Sequence, residues 1–317
     1  MKKLSLLVVI VFIALCSYAQ NVDKLIKRDE VERIIKTLSA DDMEGRATYS
    51  PGIDKAAKFI QSEFKKIGLD SLAGTVDYRQ QVTMVRNAPP KQPLFNVVGV
   101  IPGRSKPEEC VVFSAHYDHL GIRKAMDGDS IANGADDDAS GTTAVIALAN
   151  YFKKVNNNAR TLIFVAFTAE EIGGFGAQFF SKQLNPDKVV AMFNIEMIGK
   201  ESKFGTNSAF ITGYERSDFG PILQKNLKGT KFTFYPDPYP KENLFYRSDN
   251  ATLAKLGVPA HTISTDQIDI DKLYHTVKDE FSSLDVDNIT STIKAIALSS
   301  RSIVAGEETP TRVTITN

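Results

Sequence analysis

The stretch CVVFSAH, residues 110–116, indicates how this chain folds. It is a short apolar run that ends on a histidine, as expected of a strand buried on both faces of a sheet. Comparable runs occur at 95–101, 161–167, 189–195, 209–212 and 260–264. Segments with helical periodicity separate them, at about 140–154, 172–183, 217–228 and 249–256. This alternation predicts an α/β fold, a three-layer α/β/α sandwich around a central mixed, mostly parallel β-sheet.

Further helices are predicted on either side of this region. Apolar residues recur at helical spacing over 22–38 and 53–67, and a last helix is expected over 287–305 with Asp287 as its N-cap. We expect one domain over residues 20–306, with a helical segment at 20–70 packed on it and a short tail at 307–317.

The first residues, MKKLSLLVVIVFIALCSYAQ, have the pattern of a secretory signal peptide. Two lysines precede an apolar run at 6–15, and Ser17-Tyr18-Ala19 is a small-x-small cleavage pattern. The apolar run is too short to span a bilayer. We therefore expect removal of residues 1–19, a secreted or periplasmic protein, and no stable membrane association.

The composition excludes several classes of protein. Lys and Arg together number 38, as do Asp and Glu, so the net charge is zero and no basic excess points to nucleic acid. After signal cleavage Cys110 is the remaining cysteine, which rules out an internal disulfide and predicts a buried core thiol.

Polar residues follow the predicted strands where a parallel sheet binds ligands, beyond the carboxyl ends. His116 ends one strand, Glu170-Glu171 follow the next, and Glu196 follows 189–195. The run Asp136–Asp138 opens the helix at 140–154. Each feature alone has an ordinary structural explanation, such as a helix cap or charges that complement the helix dipole. Together they form the mixture of imidazole and carboxylate that zinc binds.

Several motifs resemble those of a known family. They are SAHYDHLG, NGADDDASGTTAV, FTAEEIGGFGAQFF, NIEMIG, YRSDNATLAKLGVPA and YHTVKD. In this order and spacing they resemble the secreted two-zinc aminopeptidases, a family that also contains glutamate carboxypeptidase and glutaminyl cyclase relatives. The likeness covers roughly residues 38–305.

The resemblance implies a set of metal ligands. By position, His116 binds one zinc ion and His275 the other, and Asp137 bridges both. Glu171 completes the first site with His116. Glu196 belongs to the second site, where the family usually has an aspartate.

The resemblance also implies the residues that act on the substrate. Glu170 matches the general base, which takes a proton from a metal-activated water and delivers it to the leaving amine. Asp118 matches a carboxylate that orients His116. Tyr246 is the candidate donor to the oxyanion of the tetrahedral intermediate.

The function expected from the resemblance is that of a zinc-dependent aminopeptidase acting on peptides with a free N-terminus. The alternatives are a glutaminyl cyclase or carboxypeptidase on the same scaffold, or a non-catalytic binding module. His116 favours the peptidase over the cyclase, and the full ligand set with Glu170 argues against the binding module. A serine hydrolase is excluded because the sequence has no G-x-S-x-G.

Overall fold

The computed structural model describes residues 22–83 and 93–314, so the predicted signal peptide lies outside the described residues. The strands, in chain order, are β1 (Asp70–Ser71), β2 (Arg79–Val82), β3 (Leu94–Ile101), β4 (Lys106–His116), β5 (Gly121–Met126), β6 (Asp129–Ala132), β7 (Arg160–Phe167), β8 (Val189–Ile195), β9 (Ser208–Ile211), β10 (Thr233–Pro236) and β11 (Ala260–Ser264). The α-helices are α1 (Arg28–Leu38), α2 (Pro51–Ile67), α3 (Gly141–Val155), α4 (Phe175–Gln183), α5 (Phe219–Asn226), α6 (Asn250–Ala254), α7 (Val286–Ser299) and α8 (Arg301–Val304).

One large mixed sheet organises the described residues. Its strand order is β1-β3-β7-β4-β8-β11-β9-β10, with β2 beside β3. The central strands β7, β4, β8 and β11 are parallel, whereas β3 and β9 pair antiparallel with the outer members of this group. The predicted α/β fold with a mixed sheet is therefore confirmed, and the parallel pairs lie mainly at its centre.

Helices cover both faces of the sheet, which explains the continuous apolar runs. Phe113 of β4 belongs to the core that includes α1, α2, α3, α5 and α7, and its ring stacks on Phe164 and Phe193 at 5.4 and 4.9 Å between centroids. Val112, its neighbour, belongs to the opposite core with α4 and α6. Successive side chains of a strand point to opposite faces, so a strand covered on both must be apolar throughout. Cys110 is buried in the second core, as predicted.

The helix boundaries differ from the prediction in two places. The first helical segment breaks before α1, which begins at Arg28 rather than continuing from residue 22. Asp285 rather than Asp287 caps α7, because its carboxylate accepts hydrogen bonds from the N–H groups of Asp287 and Asn288. Within the described ranges, no helix is both long and apolar enough to cross a membrane.

The β5–β6 hairpin was not predicted from the sequence. Its strand β5 is exposed at nearly every residue after Gly121, so it lacks the apolar run that marks the central strands. Short exposed hairpins leave little hydrophobic periodicity for a sequence analysis to detect.

Candidate metal centre

Strand register brings the polar residues together at one edge of the sheet. His116 at the end of β4 pairs with Phe167 at the end of β7, and Ile195 at the end of β8 pairs with Ile263 of β11. The loops after these strands therefore start side by side. The structure brings together all the predicted metal ligands in these loops: His116, Asp137, Glu171, Glu196 and His275.

Asp137 lies between the two predicted histidines. Its Oδ1 is 3.1 Å from Nε2 of His116, and its Oδ2 is 3.1 Å from Nε2 of His275. Each carboxylate oxygen thus faces a different imidazole. This is the arrangement that a carboxylate needs if it is to bridge two cations.

The carboxylates divide between the histidines in a way that corrects the sequence-based pairing. Ligand atoms of His116, Asp137 and Glu196 form one close group, within 4.8 Å of one another. Oε2 of Glu171 lies 3.2 Å from Nε2 of His275 instead. Glu196 follows β8 directly, beside the end of β4, whereas a turn carries Glu171 past the end of β7 towards the loop with His275. The position of Glu171 depends on this turn. The order of residues in the sequence therefore does not show which histidine Glu171 lies beside.

His119 is a member of the site that the sequence analysis did not assign. It is buried, and its Nδ1 lies 2.8 Å from Oε1 of Glu171 and 3.6 Å from Oδ2 of Asp137. The sequence feature that could have identified His119 is its position three residues after His116. Ligand atoms of His119, Asp137 and Glu171 lie within 4.8 Å of one another, so His119 is a further candidate ligand beside Glu171.

The turn that carries Glu170 and Glu171 is held by Asp118. The Asp118 carboxylate accepts hydrogen bonds from the N–H groups of Glu170 at 3.1 Å and Glu171 at 3.3 Å, and from the hydroxyl of Thr48 at 3.0 Å. His116 Nδ1 lies closer to the main-chain oxygen of Asp118, at 3.1 Å, than to its carboxylate, at 3.8 Å. The main-chain carbonyl therefore orients His116, and the predicted role of the Asp118 carboxylate is corrected to holding the turn.

The neighbours of Asp137 fix the backbone around it. The Asp138 carboxylate accepts hydrogen bonds from the N–H groups of His116, Gly141 and Met197, at 3.3, 2.9 and 3.2 Å. These bonds tie the ends of β4 and β8 to the start of α3. The peptide bond between Asp137 and Asp138 is cis.

A buried arginine supports the same loop and had no predicted role. The guanidinium of Arg46, which is fully buried, donates hydrogen bonds to the carbonyls of Leu38, Tyr117, Asn133 and Gly134. Buried carbonyls of irregular segments need donors because water cannot reach them. Arg46 supplies these donors to the segments on either side of the metal centre.

Several buried atoms of the centre have no hydrogen-bond partner among the described residues. They include His116 Nε2, Asp137 Oδ2, Glu171 Oε1 and Glu196 Oε2. Buried polar atoms are seldom left without partners, and a bound cation is one explanation for such a group. Imidazole nitrogens with carboxylate oxygens are a donor set that zinc binds. The residues present therefore fit zinc.

Glu170 lines the same cavity as Asp137, Glu196 and His275 without belonging to either group of close ligand atoms. Burial raises the pKa of Glu170 well above its usual value, and the nearby carboxylates of Glu196 and Asp249 raise it further. A carboxylate with a raised pKa holds a proton more readily, which suits a group that accepts and returns one.

Tyr246 lines a cavity that Glu170 also borders, beside the cavity that holds the predicted ligands. Its ring packs against the guanidinium of Arg216, and its hydroxyl is 3.5 Å from Arg216 Nη1. In the cavity that Glu170 shares with Asp137, Glu196 and His275, the tyrosine among the described lining residues is Tyr274, whose ring stacks on His275 with 3.8 Å between centroids. The role of Tyr246 as oxyanion donor therefore stays a prediction, and Tyr274 is a second candidate.

Comparisons with known proteins identify the family of this chain. The sequence model of peptidase family M28 matches residues 96–299. The chain is 29% identical over 299 residues to leucine aminopeptidase 1 of Emericella nidulans, covering 86% of this chain and 73% of that protein. It is 29% identical over 195 residues to a Leptosphaeria maculans protein described as "Probable zinc metalloprotease", covering 55% of this chain and 44% of that protein. The chain therefore spans less than half of the second relative.

Solved structures share the fold at low sequence identity. The LapA aminopeptidase of Legionella pneumophila superposes with a TM-score of 0.70 at 19% identity, covering 92% of this chain and 75% of that one. The glutaminyl cyclase of Porphyromonas gingivalis superposes with a TM-score of 0.69 at 14% identity, covering 88% of this chain and 99% of that one. An aminopeptidase and a glutaminyl cyclase both have this fold. The fold therefore does not distinguish the two activities, and the function has to be argued from the residues of the site.

Proposed function

Because this chain belongs to peptidase family M28, we propose that it is a zinc-dependent aminopeptidase, which removes the N-terminal residue of peptides. The observation that carries the proposal is the position of Asp137, with one carboxylate oxygen 3.1 Å from His116 and the other 3.1 Å from His275. Glu170 lines the same cavity and is the general base.

Two zinc ions fit this arrangement of ligands. His116, Asp137 and Glu196 would hold one ion, and Asp137, Glu171 and His275 would hold the other. When bound, zinc supplies Lewis-acid activation of water and of the scissile carbonyl. Asp137 contributes to both sites, so neither site is complete without it.

Glu170 moves the proton that hydrolysis requires. Its carboxylate accepts a proton from the attacking water and returns it to the amine that leaves when the peptide bond breaks. The N–H of Glu170 is fixed by the Asp118 carboxylate at 3.1 Å, so the base is held on a turn that a buried acceptor anchors. A base held in place in advance loses less entropy in the reaction.

Acidic side chains in the site favour a substrate with a free amino group. Asp249 is buried, and neither of its carboxylate oxygens has a hydrogen-bond partner among the described residues. Burial, together with the nearby carboxylates of Glu196 and Asp118, raises the pKa of Asp249 to about 8. An α-ammonium group placed near Glu196 and Asp249 would supply the missing positive charge, which an acetylated N-terminus cannot do.

Glu196→Asp should keep or raise the zinc content. The family usually has an aspartate at this position, and the shorter carboxylate still follows β8 beside His116. Elemental analysis of the dialysed protein measures the effect, with the exposed Glu201→Asp as the matched control. If Glu196→Asp abolishes zinc binding, Glu196 is wrongly assigned as a ligand.

Tyr274→Phe should lower kcat by roughly 10²–10³-fold if its hydroxyl donates to the oxyanion. Tyr274 lines the cavity beside His275, whereas Tyr246 faces Arg216. Tyr246→Phe is compared with it because Tyr246 borders the neighbouring cavity of Glu170, and a loss of kcat confined to Tyr246→Phe would assign the role to Tyr246 instead. Steady-state kinetics on one peptide substrate compares both variants; equal effects would remove Tyr274 from this role.

We place the mature protein outside the cytoplasm, in the periplasm or the medium. The support is the sequence of residues 1–19, which has charged, apolar and cleavage regions in the order of a signal peptide. Fractionation of the producing cells, followed by N-terminal sequencing, tests the assignment. A mature chain that begins at Gln20 agrees with it, and a cytoplasmic chain that retains Met1 contradicts it.

The proposed reaction is tested with a peptide panel. The chain without residues 1–19 is incubated with unblocked and N-acetylated copies of the same peptides, with and without a zinc chelator. Loss of one N-terminal residue from the unblocked peptides only, prevented by chelator and restored by zinc, is the expected result. Cyclisation of N-terminal glutamine without trimming would assign a cyclase, and C-terminal trimming of blocked peptides would assign a carboxypeptidase.

A further inference from the structure

The cavity beside the metal centre has a second acidic group that the proposed hydrolysis does not use. The residues around it include Glu170 and Glu196 of the centre, the apolar side chains of Phe210 and Leu244, and the carboxylate residue Asp266. Its volume is about 80 Å³, the size of one long side chain rather than of a peptide. A cavity of this size beside the scissile bond fits the side chain of the residue that is removed.

Asp266 is buried without a hydrogen-bond donor. Its residue exposure is 3%, and neither carboxylate oxygen has a partner among the described residues. It lies two residues after β11 and donates its own N–H to the hydroxyl of Ser264 at 3.1 Å, so the backbone holds it in place. A buried carboxylate that lacks a donor or cation is unfavourable, and it indicates that a partner binds there.

Asp266 shares its nearest cation, Lys200, with two other carboxylates. Oxygen atoms of Asp136, Asp266 and Asp271 lie within 4.8 Å of one another. The ammonium of Lys200 lies 2.6 Å from Asp271 and 3.3 Å from Asp136, so it is closely paired with those two carboxylates. Burial and the two neighbouring aspartates raise the pKa of Asp266 to about 8. Three carboxylates face one ammonium group, so a further positive charge would reduce the excess of negative charge.

We infer that Asp266 selects peptides whose N-terminal residue is lysine or arginine, an inference that rests on the proposed aminopeptidase function. The cationic end of such a side chain would pair with the buried carboxylate. Its methylene stem would pack against Phe210, Leu244 and Ile268, which line the same cavity. An apolar side chain of equal length would fill the space and leave Asp266 unpaired.

A basic residue also borders this cavity, and it points to the opposite specificity. Arg247 lines the cavity and could attract an acidic N-terminal residue. Its guanidinium lies 3.2 Å from the Glu242 carboxylate, and 45% of its side chain is exposed. Arg247 therefore already has its own counter-ion and solvent, whereas Asp266 is buried and shares Lys200 with two other carboxylates. This difference favours a basic substrate.

The test compares lysine with norleucine, its apolar analogue, in the zinc-loaded protein. The values of kcat/KM are measured for the 4-nitroanilides of lysine, norleucine and glutamate, and calorimetry measures the binding of free L-lysine and L-norleucine. The variants are Asp266→Asn, which keeps the shape and removes the charge, and Asp269→Asn as the matched control. The Asp269 carboxylate is 46% exposed and 3.6 Å from Lys203, so its loss changes the net charge equally at the surface.

The expected wild-type preference for lysine over norleucine is roughly 30-fold or more, as for other buried charge pairs. Asp266→Asn should abolish the preference for lysine over norleucine, and Asp269→Asn should keep it. A wild-type enzyme that prefers norleucine or glutamate overturns the inference, as does a lysine preference that survives in Asp266→Asn. The comparison of lysine with norleucine in the wild-type enzyme needs no variant. It therefore tests the inference even if Asp266→Asn does not fold.

The two measurements separate this inference from the proposed function. Hydrolysis of norleucine without any lysine preference supports the aminopeptidase and overturns the role of Asp266. If no anilide is hydrolysed, the proposed function fails. Calorimetry then still tests whether Asp266 binds a basic side chain. Tighter binding of L-lysine that is lost in Asp266→Asn supports the role of Asp266, and equal binding of both amino acids overturns it.

Discussion

Glu170→Gln should keep the zinc content of the protein and lower kcat by roughly 10²–10⁴-fold. Glutamine has the shape of glutamate but cannot accept the proton of the attacking water. The N–H of residue 170 would still donate to the Asp118 carboxylate, so the turn that positions Glu171 should be preserved. The loss is therefore expected in the chemical step rather than in folding or metal binding.

Elemental analysis and steady-state kinetics on the same sample check both parts of this prediction. Glu30→Gln on α1 is the matched control, because Glu30 pairs with Arg33 at the surface, away from the metal centre. An unchanged kcat in Glu170→Gln would remove Glu170 as the base. A loss of zinc would show instead that Glu170 is a ligand.

Asp137→Asn should lose both zinc ions and all measurable hydrolysis. Its two oxygens face His116 and His275, so the substitution weakens both sites at once. An amide is a neutral ligand, and it cannot offset the repulsion between two cations that share one bridging group. No other described residue occupies both ligand groups of the centre.

Glu196→Gln provides the contrast for this prediction. Glu196 groups with His116 and Asp137 only, so its amide variant should lose one zinc ion and retain the other. Elemental analysis after dialysis distinguishes the two variants. If Asp137→Asn retains two zinc ions, Asp137 does not bridge them, and the proposed centre is wrong.

The sequence allowed the sheet and the ligand types to be predicted because both depend on local patterns. A strand buried on both faces must be apolar, so β4, β7, β8 and β11 could be located from runs such as CVVFSAH. Ligands lie beyond the carboxyl ends of parallel strands, so His116 and Glu196 could be selected from their positions alone. The resemblance to the two-zinc aminopeptidases is confirmed by the family match.

The remaining features depend on contacts between distant segments. Glu171 lies with His275 because Asp118 holds the turn that carries it, and that hydrogen bond spans more than fifty residues. Arg46 bonds to carbonyls up to 88 residues away, so no local pattern reveals its role. Tyr246 lies in a one-turn helix, Leu244–Tyr246, which is too short for periodicity to show which way its side chain points.

The most direct test of the two-zinc centre is the anomalous diffraction of a zinc-loaded crystal, measured on both sides of the zinc absorption edge. The account predicts two zinc peaks. One lies between His116, Asp137 and Glu196, the other lies between Asp137, Glu171 and His275, and Glu170 coordinates neither. A single peak, or two peaks in which Glu171 lies with His116 and Glu196 with His275, would contradict it.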